Sequence, residues 1–354
     1  MNLNDHIISA SASLLEALEA LNRLSGGAMT LFAVDCQGRL TGTVTDGDIR
    51  RALLAGCRLD DKVEAAMHRR FKSVTGECPD VAALRDFRNK GIRLVPLLNA
   101  DGTIRSIVDL SERRTVLPLS AILMAGGKGE RLRPLTLSKP KPLLEIDGRA
   151  IIDYNIEALD ASGITDITVT TRYLAEQIHA HFARPVAGVD VKCVEETCPL
   201  GTIGSAALAD IPAEGNTLVM NSDLLTTISF EDMYIHHMSS KSDITIAAIP
   251  YQVSVPFAIL TSEAGDPTRV TAIEEKPSYS FFANAGIYIF PNDMLRSLPL
   301  DRPTDAPDLI RNAIAEGRRV TYFPINGTWL DVGTPADFHQ AEQLMRHHRN
   351  FSAR

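Results

Sequence analysis

The chain has 354 residues, 45% of them hydrophobic and 23% charged, with a formal net charge of −8. That length suits two domains with sizeable cores. The acidic balance excludes general binding to nucleic acid or anionic membrane, which needs a basic footprint. No basic start followed by an apolar stretch opens the chain, and no run approaches a membrane span. A cytoplasmic protein is expected on that basis. Five cysteines (36, 57, 78, 193 and 198) show no CxxC pairing, so they read as reduced, buried thiols rather than a disulfide frame or zinc site.

Residues 1–116 hold a weak internal repeat. "GRLTGTVTDGDIRR" (38–51) aligns with "GTIRSIVDLSERR" (102–114). In each copy a helix comes first ("SLLEALEALNRL", then "DVAALRDFRNKG"), followed by an apolar strand ("TLFAV", then "RLVPLL"). A Gly-containing turn, a second strand and a polar, Arg-containing helix start complete the unit. Neither copy can bury its sheet alone, so the two should pack together. This order resembles a tandem pair of CBS modules, a regulatory or dimerising element. The resemblance implies an adenine nucleotide at "TVTDGDIRR", with Thr45 toward phosphate and Asp48 toward the ribose diol. The second copy carries Asp109 at the position of Thr45, where a carboxylate would repel phosphate, so at most one live site is expected. A ligand-free dimerisation module is the alternative.

Residues 117–119 form a short apolar linker, and from 120 to 348 strands and helices alternate. "SAILMA", "DITVTT", "TLVMNSD", "DITIAAIP" and "AGIYIF" read as strands; "RAIIDYNIEALDASG", "YLAEQIHAHF" and "SFEDMYIHHM" read as helices. That is a Rossmann-like doubly wound α/β domain, which places ligands at the carboxyl ends of its strands. His236, His237, His347 and His348 read as surface helix positions.

"AILMAGGKGERLRPLT" (121–136) follows the first strand of this domain. It fits neither GxGxxG, because Leu132 replaces the last glycine, nor GxxxxGK[ST], because Gly129 follows Lys128. Adjacent glycines let main-chain amides cradle an anion. Arg131 offers a rigid fork for phosphate oxygens, and Lys141, flanked by prolines, offers a point charge.

"LMAGGKGERLRPLT", "KPKPLLEI", "PLGTIGSA", "LVMNSDLL", "IEEKP", "FANAGIY" and "WLDVGT" arrive in one order, which resembles the sugar-1-phosphate nucleotidylyltransferases. The resemblance implies transfer of a nucleotidyl group from an NTP to a sugar 1-phosphate, with pyrophosphate leaving. It implies Arg131, Lys141, Asp223 and Lys276 as catalytic residues. Gly126, Gly127, Lys128, Gly129, Leu200, Gly201 and Thr202 would bind nucleotide. Ala258, Glu275, Lys276, Asn284 and Gly286 would line the sugar-phosphate site, and Asp223 with Asp331 would hold Mg²⁺. Arg133 and Lys139 would add supporting charge, and Trp329 would pack beside the site.

Two positions depart from the family pattern. Ser222 stands where glycine is usual, and Ala258 adds a methyl near the sugar. A CBS pair ahead of the transferase resembles guanylyltransferases of hexosamine 1-phosphate, so GTP is favoured over UTP, dTTP or CTP. A nucleotide sensor with a silent transferase domain is the reading from another class. No repeat-built third domain of the kind found in the bifunctional uridylyltransferase–acetyltransferases is expected. A homodimer or higher homo-oligomer is expected.

Overall fold

The computed structural model describes residues 3–24, 27–76 and 79–352, with side chains through 346. The chain divides into two compact units, residues 1–118 with 160–164, and residues 119–159 with 165–354.

The first unit is built twice from one pattern. In the first half β1 (Ile7–Ser9), α1 (Leu14–Arg23), β2 (Thr30–Val34), β3 (Leu40–Thr45) and α2 (Asp46–Leu54) follow in order. In the second half β4 (Val74–Thr75), α3 (Val81–Asn89), β5 (Leu94–Leu98) and β6 (Ile104–Asp109) repeat it. Each three-stranded sheet has its first pair parallel and its second antiparallel. Ser13 caps α1 through a capping box with Glu16, and Leu14, Ala17 and Leu21 bury one face at helical spacing. The expected packing of the copies is present: Phe32 and Leu40 of the first share a core with Leu94 and Leu98 of the second.

The expected helix start of the second copy is absent. Asp109 accepts from the Ser111 amide and hydroxyl at 2.9 and 2.6 Å and pairs with Arg93 at 2.8 Å. Glu112 and Arg113 donate to the Asp109 carbonyl for a single turn. A side chain anchored back to β5 closes a tight turn in place of a helix.

The second unit begins with β7 (Leu119–Ala125). A long loop with the short hairpin β8 (Glu145–Ile146) and β9 (Arg149–Ala150) leads to α4 (Ile151–Ala161). There follow β10 (Ile167–Thr171), α5 (Ala175–His181), β11 (Val191–Glu195), β12 (Asn216–Asn221), β13 (Leu224–Thr226) and α6 (Phe230–Ser239). The strands β14 (Ile244–Ser254), β15 (Ile259–Glu263), β16 (Asp266–Glu274) and β17 (Ser278–Pro291) come next. Helices α7 (Asn292–Arg296) and α8 (Ala306–Ala315), strands β18 (Val320–Pro324) and β19 (Trp329–Asp331), and α9 (Pro335–Ser352) complete the unit.

Seven strands form the central sheet in the order β11-β10-β7-β12-β17-β14-β18, with β17 antiparallel to both neighbours. The parallel strands β7, β10 and β12 are mostly buried, β10 along its whole length, as a strand covered on both faces must be. Chain order reverses at β7: β10 lies on one side and β12 on the other. The carboxyl ends of β7 and β12 therefore face one crevice, the switch point at which such sheets bind ligands.

Two readings on α6 and the cysteines change. Phe230, Met233 and His237 lie at i, i+3 and i+7 on the buried face of α6, so His237 is a core residue. Its ring bonds the Thr245 hydroxyl at 2.9 Å, and burial lowers its pKa to about 4. Cys36 and Cys198 are exposed, and Cys57 and Cys193 half-buried, so the thiols are free but not core residues. Cys78 and the side chains of His347 and His348 lie outside the described residues. Among the described residues, no helix is long and apolar enough to cross a membrane.

Candidate active site

A cleft of about 580 Å³ opens at the switch point. Gly126, Gly127, Gly129, Glu130 and Arg131 line it from the loop after β7, and Asn221, Ser222 and Asp223 from the end of β12. Lys141, Arg172, Glu196, Leu200, Gly201 and Thr202 complete the wall. The loop after β7 tolerates no side chain at Gly129. Its φ is +60°, and a Cβ there would lie 2.9 Å from Thr136 Cγ2 and 3.2 Å from Lys141 Cβ.

Apolar neighbours hold the charged residues in place. Leu132, Leu144, Leu225, Leu330 and Val332 share one buried cluster with Ile146 and Ile151. They stand beside or close to Arg131, Lys141, Asp223 and Asp331 in sequence. Burial of each leucine side chain contributes about 2 kcal/mol to holding this cluster together. The antiparallel pair β13·β19 puts Leu224 opposite Asp331, which brings the two acidic residues together across 108 positions of sequence. Ser222 ties the strand ends together by donating its hydroxyl to the Met124 carbonyl at 2.7 Å. The serine in place of glycine thus has a structural role.

Lys141 is buried, and its Nζ bonds both carboxylates, Asp223 Oδ2 and Asp331 Oδ1, the latter at 3.2 Å. Burial pushes the Asp223 carboxyl above the usual range; Lys141 draws it back and Asp331 adds to the rise. Asp223 Oδ1 is shielded from solvent and has no hydrogen-bond partner. An unpaired buried carboxylate oxygen is costly unless a donor or cation completes it. Two carboxylates joined through Lys141, one of them with an unpaired oxygen, fit a hard divalent cation that keeps waters and substrate phosphates as its other ligands. Among the described residues no group of three or more His, Cys, Asp or Glu forms a protein-only metal cage.

The sugar-side residues are placed differently. Gly286 lies against the Asn221 side chain, and Asn284 accepts the Gly286 amide at 3.0 Å and donates to the Tyr288 hydroxyl at 2.9 Å. Trp329 donates to the Ala285 carbonyl at 2.9 Å, fixing that strand beside β19. Ala258, Glu275 and Lys276 lie on the ribbon built by β14–β17 and are not among the residues that line the cleft. Lys276 is exposed and holds φ at +47°, a left-handed conformation that costs a non-glycine residue about 1–3 kcal/mol. Lys128 is exposed and outside the cleft lining; Arg133 and Lys139 pair with Glu130 and Glu145.

Glu196, Arg172 and Asn221 line the cleft although sequence reasoning did not select them. Glu196 is buried, accepts the Leu200 amide at 3.3 Å, and sits so close to Gly126 that a Cβ there would be 2.5 Å from its Oε1. Its signal was faint: Glu195 and Glu196 are adjacent, and only the end of β11 decides which turns inward.

In the first unit Thr45 caps α2. Its hydroxyl donates to Asp48 Oδ2 at 2.6 Å, its amide donates to the same oxygen at 2.9 Å, and Arg51 takes Oδ1 at 2.6 Å. Both residues proposed for a ligand are engaged with each other.

Comparison with known proteins agrees with this arrangement. Residues 120–348 match the nucleotidyl transferase family, and residues 1–55 match the CBS domain. A mannose-1-phosphate guanyltransferase of Gibberella zeae is 34% identical over 228 residues, 62% of either chain. The Danio rerio mannose-1-phosphate guanylyltransferase catalytic subunit beta is 33% identical over 227 residues, again 62% of each. The chain thus spans 62% of the length of these relatives. Among solved structures, HddC from Yersinia pseudotuberculosis superposes with a TM-score of 0.50 at 22% identity, over 64% of this chain and 99% of that one. A putative glucose-1-phosphate thymidylyltransferase from Bacillus anthracis gives 0.50 and 22% over 64% and 95%. These two likenesses concern the fold. With its cleft at the switch point and its match over residues 120–348, the chain belongs to the nucleotidyl transferase family and carries a CBS domain at its N-terminus.

Proposed function

We propose that the protein transfers a guanylyl group from GTP to a hexose 1-phosphate, giving a GDP-sugar and pyrophosphate. The cleft carries this reading: main-chain amides, Arg131 and Lys141 meet a carboxylate pair at the crevice where β7 and β12 end. Both substrates are polyanions, so positioning and fixed positive charge supply most of the catalysis. Amides of Gly127–Glu130 and the Arg131 fork hold the triphosphate. Lys141 leaves its carboxylate partners to meet the α-phosphoryl group as the sugar-phosphate oxygen attacks in line. Asp223 and Asp331 would hold Mg²⁺, which when bound neutralises phosphate charge. Lys276 and Glu275 bind the sugar phosphate and its hydroxyls, with Asn284 and Gly286 at the pocket edge.

Glu196 supports guanine. The Watson–Crick edge of guanine offers two adjacent N–H donors, and a buried carboxylate accepts both. The curated relatives are guanylyltransferases of mannose 1-phosphate, which favours a hexose over the hexosamine suggested by domain order. The CBS unit is proposed to take an adenine nucleotide at Thr45 and Asp48. The test is an NTP panel with mannose, glucose and glucosamine 1-phosphates, reading pyrophosphate. GTP with mannose 1-phosphate should be the fastest pair. Pyrophosphate from none of the pairs at millimolar Mg²⁺ would overturn the enzyme reading.

A further inference from the structure

The turn between β10 and α5 holds a strained residue between two side chains that reach back to a single stretch of backbone. Leu174, just before α5, has φ at +50°, a left-handed conformation that is unfavourable for a residue bearing a Cβ. Strain of this kind persists only where the surroundings fix it. Tyr173 and Gln177 flank it on either side. The Tyr173 hydroxyl is shared by the Thr136 and Leu137 carbonyls at 2.9 and 3.3 Å, and the Gln177 side-chain amide donates to the Ser138 carbonyl at 2.9 Å. Consecutive carbonyls from 136 to 138 thus hang from two side chains of this turn.

That stretch in turn holds the loop after β7. Thr136 is fully buried; its hydroxyl donates to the Gly129 carbonyl at 2.8 Å, and its Cγ2 packs against the same glycine, 2.9 Å from where a Cβ would lie. Gly127, by contrast, has open space where its own Cβ would project. Glycines let amides approach an anion closely, but their freedom must be lost when the anion binds. A loop already held in place spares that loss and binds more tightly. Thr136, Tyr173 and Gln177 are not among the residues that line the cleft, so any effect they have on a ligand there passes through the loop.

We propose that Tyr173 is a positioning residue for the nucleotide: through the backbone at Thr136 it holds the amides of Gly127–Glu130 ready for the triphosphate, and Gln177 secures the same stretch at Ser138. This rests on the transferase reading above. The loop grips the nucleotide before and during reaction alike, so losing its support should weaken nucleotide binding more than turnover.

Tyr173→Phe removes the hydroxyl and keeps the ring. KM for GTP should rise about 10-fold, with kcat changed less than about threefold and KM for the sugar 1-phosphate within about twofold. Gln177→Ala, at an exposed position, should show the same pattern at about threefold. Thr136→Val should match Tyr173→Phe, whereas Thr136→Ser keeps the donor to Gly129 and should restore most of the GTP affinity. Tyr173→Phe combined with Thr136→Val should cost little more than either alone, because both act through one stretch of chain. Equal rises in both KM values would make Tyr173 a general support of the fold, and a multiplicative double variant would disconnect it from Thr136; either result overturns the proposal. Hydrogen exchange of the ligand-free protein reads the loop without any activity. The amides of Leu132, Arg133 and Leu137, bonded within this stretch, should exchange several-fold faster in Tyr173→Phe, while those of β7 and β12 keep their wild-type rates. Unchanged exchange at those three amides would overturn the proposal. A wild type that makes no nucleotide sugar fails the transferase reading, while the exchange rates still decide what Tyr173 holds.

Discussion

The two nucleotide-like places in this chain use similar residues to different ends. At the start of α2, Thr45 and Asp48 form a capping box whose hydroxyl, amide and carboxylate groups are satisfied locally, and Arg51 completes the ion pair. At the end of β12, Asp223 keeps one oxygen buried and without a partner beside Asp331 and Lys141. The first place is self-sufficient; the second is stable only in part until something with charge enters. Unfinished hydrogen bonding, more than residue type, separates a site from a stable helix start.

If that contrast is right, the largest loss should come from the unfinished side. Asp223→Asn keeps the shape and removes the charge. Turnover should fall on the order of 100- to 1000-fold, as it does when one preorganised electrostatic group is removed. Because a buried charge beside Lys141 is relieved, thermal stability should hold or rise. Steady-state kinetics with a melting curve reads both; a destabilised protein with wild-type turnover would contradict the assignment.

Glu196→Gln comes next. An amide presents a donor where guanine also donates, so kcat/KM for GTP should drop about 10- to 100-fold, with a smaller change for UTP. An equal drop for both nucleotides would make Glu196 a prop for the loop at Leu200 rather than a reader of the base.

Much of this was legible before any coordinates. The strands "TLFAV" and "SAILMA" appear within a residue of their expected ends, because unbroken apolar runs between turn residues leave little choice. Lys141, Asp223 and Asp331 could be named from motifs, yet only the β13·β19 register, Leu224 opposite Asp331, shows how they meet. His237 was missed because its helix has a weak apolar stripe, and its burial depends on Thr245 from a strand eight residues away. The missing helix after β6 depended on Arg93, sixteen residues back, which no local pattern reveals.

His237 also gives the second unit its own acid sensitivity. Burial lowers its pKa from 6.5 to about 4. Between those values the unfolded chain binds a proton that the folded one does not. The contribution is therefore complete above pH 6.5 and is lost as pH falls toward 4, by about 2–3 kcal/mol. Urea unfolding from pH 7 to 4.5 should show this loss, and His237→Gln should flatten that part of the profile.

The smallest effect should sit on the self-sufficient side. Asp48→Ala removes the reciprocal half of the capping box and the Arg51 ion pair, which should lower stability by about 1 kcal/mol. That cost alone would be structural. The ligand role adds a second expectation, because a nucleotide must compete with Thr45 and Arg51 for the same carboxylate. ATP, ADP or AMP should then raise the melting temperature of the wild type by a small amount, and the rise should vanish in Asp48→Ala. Thr45→Ser keeps the cap and the hydroxyl and should retain the shift. If no adenine nucleotide moves the wild-type melting curve at millimolar concentration, the capping box is all that Thr45 and Asp48 do.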